Sequence, residues 1–273
     1  MKKISTLLLI STLSLVVPTV SAVNLSFGIV PQQAAKKLAR LWTPIFEYIS
    51  DKTGENIRFS TAQNIPTFEK RLIAGEYDIA YMNPYHYTVF HQVPGYEAIA
   101  RQKNKRIKGI IVVHKDSPLV ELAELHEKTL VFPSPTAFAA SVIPRAEMEV
   151  RGIKITPQYV SSHDSVYHNV ARGLFPAGGG VMRTFNNTAA EIREQLRVLW
   201  TTETYTAHAI AVHPRVSTQT VKKLKKALLG MNKDPKGMAL LKAINFKGIE
   251  LVKDSDWDDV RALNIKLLDG LLH

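Results

Sequence analysis

Hydroxyls, amides, one arginine and one histidine stand where short apolar runs of this chain end. Asn83, Tyr85 and Tyr87 follow Tyr77–Met82, while Ser134, Thr136, Ala137 and Phe138 follow Thr129–Phe132. His163 comes after the run Thr156–Ser161 and Arg183 after Ala177–Met182. Carboxylates are scarce in this set, so it suits holding an anion through hydrogen bonds. The stretch Pro133-Ser134-Pro135-Thr136-Ala137-Phe138-Ala139-Ala140 opens a helix with small side chains. Free N–H groups and a positive dipole end there suit an oxyanion, which small side chains allow to reach the backbone. Arg183 offers a planar fork that matches oxyanions. Each residue also has an ordinary role open to it. Ser134 or Thr136 can cap a helix, and His163 can cap the one beginning near Asp164. Tyr85 and Tyr87 can simply pack, and Arg183 can be solvated.

Other chemistries find little support. His86 and His91, like His163 and His168, are five apart, the wrong spacing for one helix face, so no metal pair is expected. The chain has no cysteine, which excludes disulfides and thiolate sites. It contains no G-x-S-x-G elbow, no H-E-x-x-H and no dinucleotide fingerprint in strand–turn–helix context. Neither a cofactor nor catalysis is therefore expected. Gly178-Gly179-Gly180 falls within a strand pattern, which implies a bulge or a close backbone approach. No Lys-Ser/Thr follows it, so it is not a phosphate loop.

The elements that must position these residues alternate along the chain. Strand patterns at Asn24–Val30, Ile57–Ala62, Tyr77–Met82, Tyr96–Arg101, Gly109–His114, Thr129–Phe132, Thr156–Ser161, Ala177–Met182, Val198–Thr201 and Ala209–Val212 are separated mostly by 3.6-period runs. The longest of those runs is Gln32–Thr53, with Pro44 inside it. From Ser217 onward the tail reads as three helices. This alternation predicts parallel α/β layers. Ligands of open α/β sheets lie beyond the carboxyl ends of strands, which is where the polar set falls. A polar break at 101–108, holding five basic residues, predicts two lobes in a chain of 273 residues.

Residues 1–22 read as an export signal. Lys2 and Lys3 precede an apolar run from Thr6 to Val20, and Val20-Ser21-Ala22 predicts cleavage after Ala22. The export signal and the absence of cysteine point to a bacterial periplasm. The basic balance, 35 Lys+Arg against 24 Asp+Glu, favours anionic ligands. Nucleic acid is not expected as a partner, because export removes it and the basic residues are dispersed. The densest group, Lys222, Lys223, Lys225 and Lys226, reads as one face of a helix capped by Ser217 or Thr218, either solvated or docking an acidic surface.

Several blocks together resemble the periplasmic substrate-binding proteins of phosphate/phosphite/phosphonate ABC transporters. They are Gly28-Ile29-Val30-Pro31, Leu41–Tyr48, Gly75–Pro84, Phe132-Pro133-Ser134-Pro135, Val142-Ile143-Pro144-Arg145 and Ser162-His163-Asp164-Ser165-Val166. The resemblance implies a two-lobed type II periplasmic-binding-protein fold with a hinge and an interlobe ligand cleft. It implies lobe 1 over 23–103 and 208–273, lobe 2 over 104–207, and crossings near 103–108 and 203–208. It also implies a small oxyanion as ligand, an ABC permease as partner and a monomeric state. Asn83, Tyr85, Tyr87, Thr136, Ala137, Phe138, His163 and Arg183 form the expected ligand set. The chain departs from the family pattern at Ala137-Phe138-Ala139-Ala140, where a Ser-x-Ser-Gly run is usual, and at Pro176, where an acid is usual. The first departure removes two hydroxyl donors, and the second argues against aminoalkyl ligands. A sensory subunit presenting its closed form to a membrane receptor is the alternative expectation, and an enzyme on this scaffold is a third.

Overall fold

A computed structural model describes residues 23–272. The expected signal segment and its cleavage site lie outside the described residues. Two sheets share the chain between them. The first runs in the order Ile249–Leu251, Glu97–Gln102, Ala209–Val212, Ile79–Met82, Asn24–Ile29, Asn56–Ser60. The second runs Leu196–Thr201, Ile110–His114, Ala177–Gly180, Thr129–Phe132, Thr156–Tyr159.

The layering is mixed and not wholly parallel. Asn24–Ile29 pairs in parallel with both its neighbours, but Ala209–Val212 runs antiparallel to Ile79–Met82 and to Glu97–Gln102. Ile249–Leu251 is also antiparallel to Glu97–Gln102, and in the second sheet Ile110–His114 is antiparallel to both its neighbours. Ala209–Val212 is the returning strand: the chain leaves the first sheet at its Glu97–Gln102 strand and re-enters it at Ala209. Between the sheets a two-stranded ribbon pairs Tyr205 with Ile107 and Thr206 with Arg106. The ribbon is tied to the first lobe, since Thr206 N–H donates to Asp259 at 2.9 Å and Trp257 Nε1 donates to Ala207 O at 3.0 Å.

Helix Ala35–Thr53 continues through Pro44 and buries Leu38, Trp42, Ile45, Phe46 and Ile49 on the first sheet. Phe27 and Phe46 stack there at 4.5 Å between centroids. Aromatic rings packed at this distance add about 0.5–1.5 kcal/mol beyond area burial. Gly54, left-handed at φ 74°, stops the helix, as its place in the sequence predicts. The tail departs from its expected three helices. It holds the helices Thr218–Gly230, Pro235–Ala243 and Asp258–Arg261, but also the edge strand Ile249–Leu251. Three residues are too few for an alternating pattern to register, and this strand is held by pairing to Glu97–Gln102.

Candidate functional site

The segment Thr136–Val150 opens differently from the single helix expected. Residues Phe138–Val142 make a π turn that runs into the α-helix Ile143–Val150. Ser141 and Val142 N–H both donate to Ala137 O, at 2.7 and 3.3 Å. The N–H groups of Phe138, Ala139 and Ala140 find no acceptor among the described residues, although all three residues are buried. The fully buried Ser141 hydroxyl on the same turn has no partner either. Buried orphan amides are rare, and three in sequence form a concave row of donors.

Glycines on the second sheet explain how this turn can lie so deep. A Cβ on Gly109 would meet Ala139 O at 1.9 Å, and one on Gly179 would meet Ala140 O at 1.9 Å. The Gly178-Gly179-Gly180 run therefore marks a close approach and not a bulge. A trans peptide sets its C=O and N–H on opposite sides. With Ala139 O against Gly109, the Ala140 N–H is directed away from the sheet, toward the other lobe.

Facing the turn from the first lobe are Gln32, Asn83 and His208. With His163 and Ala137–Ala140 they line a small interlobe cavity of about 10 Å³. That is room for about one water, so a tetrahedral oxyanion requires some separation of the lobes. Arg183 of the second lobe reaches across and donates to Gln32 Oε1. The Gln32 amide nitrogen lies 3.1 Å from His208 Nε2. A second, larger cavity of about 170 Å³ continues from the first and shares Gln32, Ala139, Val181 and His208 with it.

The eight residues read as a ligand set divide into two groups. Asn83, Ala137, Phe138 and His163 line the small cavity, and Arg183 lines the larger one. The Asn83 oxygen caps its own helix by accepting from His86 N at 2.7 Å, and its amide nitrogen reaches Thr136 O at 3.4 Å across the cleft. Phe138 packs its ring edge-on to Tyr205 of the ribbon, 5.8 Å between centroids, leaving its amide to the cavity. The hydroxyl of Thr136 donates to Glu69 of the first lobe, so its proton is engaged by the protein. Ser134 and Thr136 do not cap the π turn, whose first residue has no side-chain cap. Arg183 sits in a short helix, Met182–Asn186, and not directly after a strand, because the strand ends at Gly180.

Tyr85 and Tyr87 are not brought to this group. Tyr85 accepts from Leu268 N at 2.9 Å, Tyr87 donates to Asp254 at 2.8 Å, and neither lines either cavity. Both are drawn into packing with the C-terminal segment of the first lobe. Ser162, and not His163, caps helix His163–Ala171 by accepting from Ser165 N at 3.0 Å. His163 is thereby not used as a cap; its Nδ1 lies 3.4 Å from Thr184 Oγ1, which leaves Nε2 for another role.

Two participants are not evident from strand-end positions, Glu69 and His208; Gln32 follows the first strand, but its contact with the other lobe is not evident from that place. Glu69 lies on the buried stripe of its helix with Ile65, Phe68 and Leu72, where an acid is out of place. It is 2.8 Å from His86 Nε2 and takes the Thr136 hydroxyl. An acid on an apolar stripe is the signal that could have found it. His208 stands where the chain re-enters the first sheet, and nothing local distinguishes it.

Electrostatically the cleft is positive, and its histidines are buried. Burial, and then the Arg183 charge, push His163 down to about 3. The same causes hold His208 well below the usual histidine range. Both are neutral at pH 7, so each ring keeps one N–H donor and one acceptor. A pH dependence of stability results. An unfolded histidine titrates near 6.5. Below that pH the unfolded chain takes up protons that these two folded histidines refuse. Stability from His163 is intact above about pH 6.5 and falls as the pH drops toward about 3, by up to about 1.4 kcal/mol per pH unit, and His208 acts in the same direction. Thermal melts should give a lower Tm at pH 5 than at pH 7.5, with a shallower fall for His208→Asn. A Tm independent of pH over that range, or an unchanged slope in the variant, would contradict this assignment.

Among the described residues no cluster of three His, Asp or Glu side chains could hold a metal ion, and no helix is long and apolar enough to cross a membrane. The family described as ABC transporter, phosphonate, periplasmic substrate-binding protein matches residues 27–257. The chain is 19% identical over 236 residues to the phosphate-import protein PhnD of Mycolicibacterium smegmatis, covering 74% of this chain and 70% of that protein. Its structure is similar to a binding protein component of an ABC phosphonate transporter from Pseudomonas aeruginosa, with TM-score 0.79, 16% identity, and coverage of 89% and 86% of the two chains. It is also similar to PhnD1 from Prochlorococcus marinus in complex with methylphosphonate, with TM-score 0.81, 17% identity, and coverage of 89% and 98%. The two-lobed fold, the interlobe row of donors and the match over residues 27–257 together make this chain a member of the periplasmic substrate-binding proteins of phosphonate ABC transporters, a family that binds and delivers its ligand without transforming it.

Proposed function

We propose that the interlobe cleft captures the oxyanion head of a small phosphonate or phosphate and that the loaded protein docks as a monomer on an ABC permease. The observation that carries this reading is the row of three buried, unpartnered amides at Phe138, Ala139 and Ala140. Backbone N–H groups replace the hydroxyls that the alanines lack, and each hydrogen bond to a charged oxygen contributes about 1.5–3 kcal/mol. Neutral His163 adds one donor, and Arg183 exchanges Gln32 for an anion oxygen. The ribbon Arg106–Ile107/Tyr205–Thr206 serves as the hinge, with the lobes divided near residues 104 and 207. Closure is favoured because the ligand touches both lobes. No carboxylate stands at position 176, which is proline, so an aminoalkyl substituent gains no counter-charge there.

Thermal-shift titration with methylphosphonate, phosphate, phosphite, sulfate and acetate tests this reading. A phosphorus oxyanion at 100 times its Kd should stabilise the protein by about 2.7 kcal/mol, while acetate should not. Absence of any shift with all the phosphorus oxyanions would overturn it.

A further inference from the structure

The larger cavity has a composition that oxyanion capture does not use. Its walls near the π turn are apolar, with Ala139, Val181 and Met182, and Ile107 lies across from them. Its rim is basic. Lys105 and Lys108 line it together with Arg106 and Arg183. Arg106 is engaged by Asp259 at 2.9 Å, by Thr204 O at 2.7 Å and by Thr206 Oγ1 at 3.1 Å. Lys105, Lys108 and Arg183 have no carboxylate within 4.0 Å among the described residues. Crowding of like charge is evident at Lys105. Partial burial, then Arg183, Lys247 and Lys108, hold its pKa below the ordinary lysine range. Uncompensated cations around an apolar recess form a site awaiting an anion. The recess adjoins the oxyanion seat directly, because Gln32, Ala139, Val181 and His208 border both cavities. At about 170 Å³ against about 10 Å³ for the smaller cavity, which holds about one water, the recess has room for a short chain and a terminal acid.

We propose that the preferred ligand is an organophosphonate whose short apolar chain ends in a second acidic group, the chain lying along Val181 and Met182 and the acid meeting Lys105 and Lys108. This rests on the capture reading and names its substrate class.

Calorimetric titration of the protein with methylphosphonate, 3-phosphonopropionate and 2-aminoethylphosphonate provides the test. The expected order places 3-phosphonopropionate about tenfold or more tighter than methylphosphonate, the size of a single charge-assisted contact, and 2-aminoethylphosphonate weakest. In the double variant Lys105→Gln/Lys108→Gln, 3-phosphonopropionate should lose about tenfold while methylphosphonate changes by less than about twofold. The advantage of the second acid should also shrink as salt is raised. If methylphosphonate binds but 3-phosphonopropionate binds no tighter, the substrate class is wrong and the capture reading survives. The substrate class is likewise wrong if the double variant weakens both ligands equally. If none of the three binds but phosphate or phosphite does, the substrate class is wrong and capture survives; if phosphate and phosphite fail as well, the capture reading falls and takes this inference with it.

Discussion

Arg183→Ala is expected to weaken methylphosphonate binding about 100-fold, or roughly 3 kcal/mol, the upper range for one hydrogen bond to a charged group. The expectation rests on position. Arg183 is supplied by the second lobe, yet its guanidinium donates to Gln32 of the first. It is thus a cation at the interlobe cleft that holds no carboxylate partner among the described residues. An incoming oxyanion replaces a neutral amide oxygen with a charged acceptor, which is the stronger arrangement for a guanidinium. Lysine should rescue the variant only in part, because an ammonium cannot offer two parallel donors. A second readout separates loss of this charge from loss of fold. Arg183 contributes, after burial, to the depressed basicity of His163 and His208. Its removal should therefore move His163 upward from about 3 in an NMR titration, while burial keeps it below the ordinary value. Methylphosphonate affinity within about threefold of the unaltered protein would remove Arg183 from the site, since that is well under the smallest contribution expected of a charge-assisted bond.

Some of this arrangement is legible in the chain because it depends on local rules. Strand ends followed by Asn83, His163 and Arg183 can be located from periodicity, and open α/β sheets gather such ends on one side. Gly54 past a helix and a run of three glycines in a strand pattern each announce a backbone constraint. What could not be read depends on contact between distant segments. Tyr85 and Tyr87 stand beside Asn83 in sequence, but the return of the tail to the first lobe draws their hydroxyls to Leu268 and Asp254. Ala137 and Ala139 read as missing hydroxyls. What Phe138, Ala139 and Ala140 contribute instead lies in amides freed by a π turn, which differs from an α turn by one residue of hydrogen-bond spacing and has no composition of its own. Glu69 and Gln32 acquire their roles only when the second lobe brings Thr136 and Arg183 against them. The antiparallel return strand Ala209–Val212 has the same apolar pattern as a parallel one, so its direction becomes visible only in the register with Ile79–Met82.

Gly179→Ala should cost both stability and binding, whereas Gly178→Ala one residue earlier should cost stability alone. A methyl at 178 would meet side-chain carbons of Val166, Val131 and Val170 at 2.6–3.0 Å, atoms that can shift through rotamer and small packing changes. At 179 it would meet the carbonyl oxygen of Ala140 at 1.9 Å and the Phe132 ring at 2.5 Å. A backbone oxygen cannot rotate away, so the π turn as a whole must lift from the sheet. Overpacking of this kind costs about 1–3 kcal/mol, and for a chain of this size each kcal/mol lowers Tm by roughly 2–4 °C. Ala140 O shares its peptide with the Ser141 N–H that donates to Ala137 O at 2.7 Å, so displacing it opens the π turn that leaves the amides of Phe138, Ala139 and Ala140 unpartnered. Methylphosphonate affinity should then fall by about 30-fold or more, the equivalent of losing one or two charge-assisted hydrogen bonds. Paired melts and titrations distinguish the cases. Gly178→Ala with a lowered Tm and near-normal affinity, beside Gly179→Ala with both lowered, identifies the turn as the seat of the oxyanion. Undiminished affinity in Gly179→Ala would mean that the amides of Phe138, Ala139 and Ala140 are not what holds the ligand, and the anion would have to be sought beside Arg183 alone.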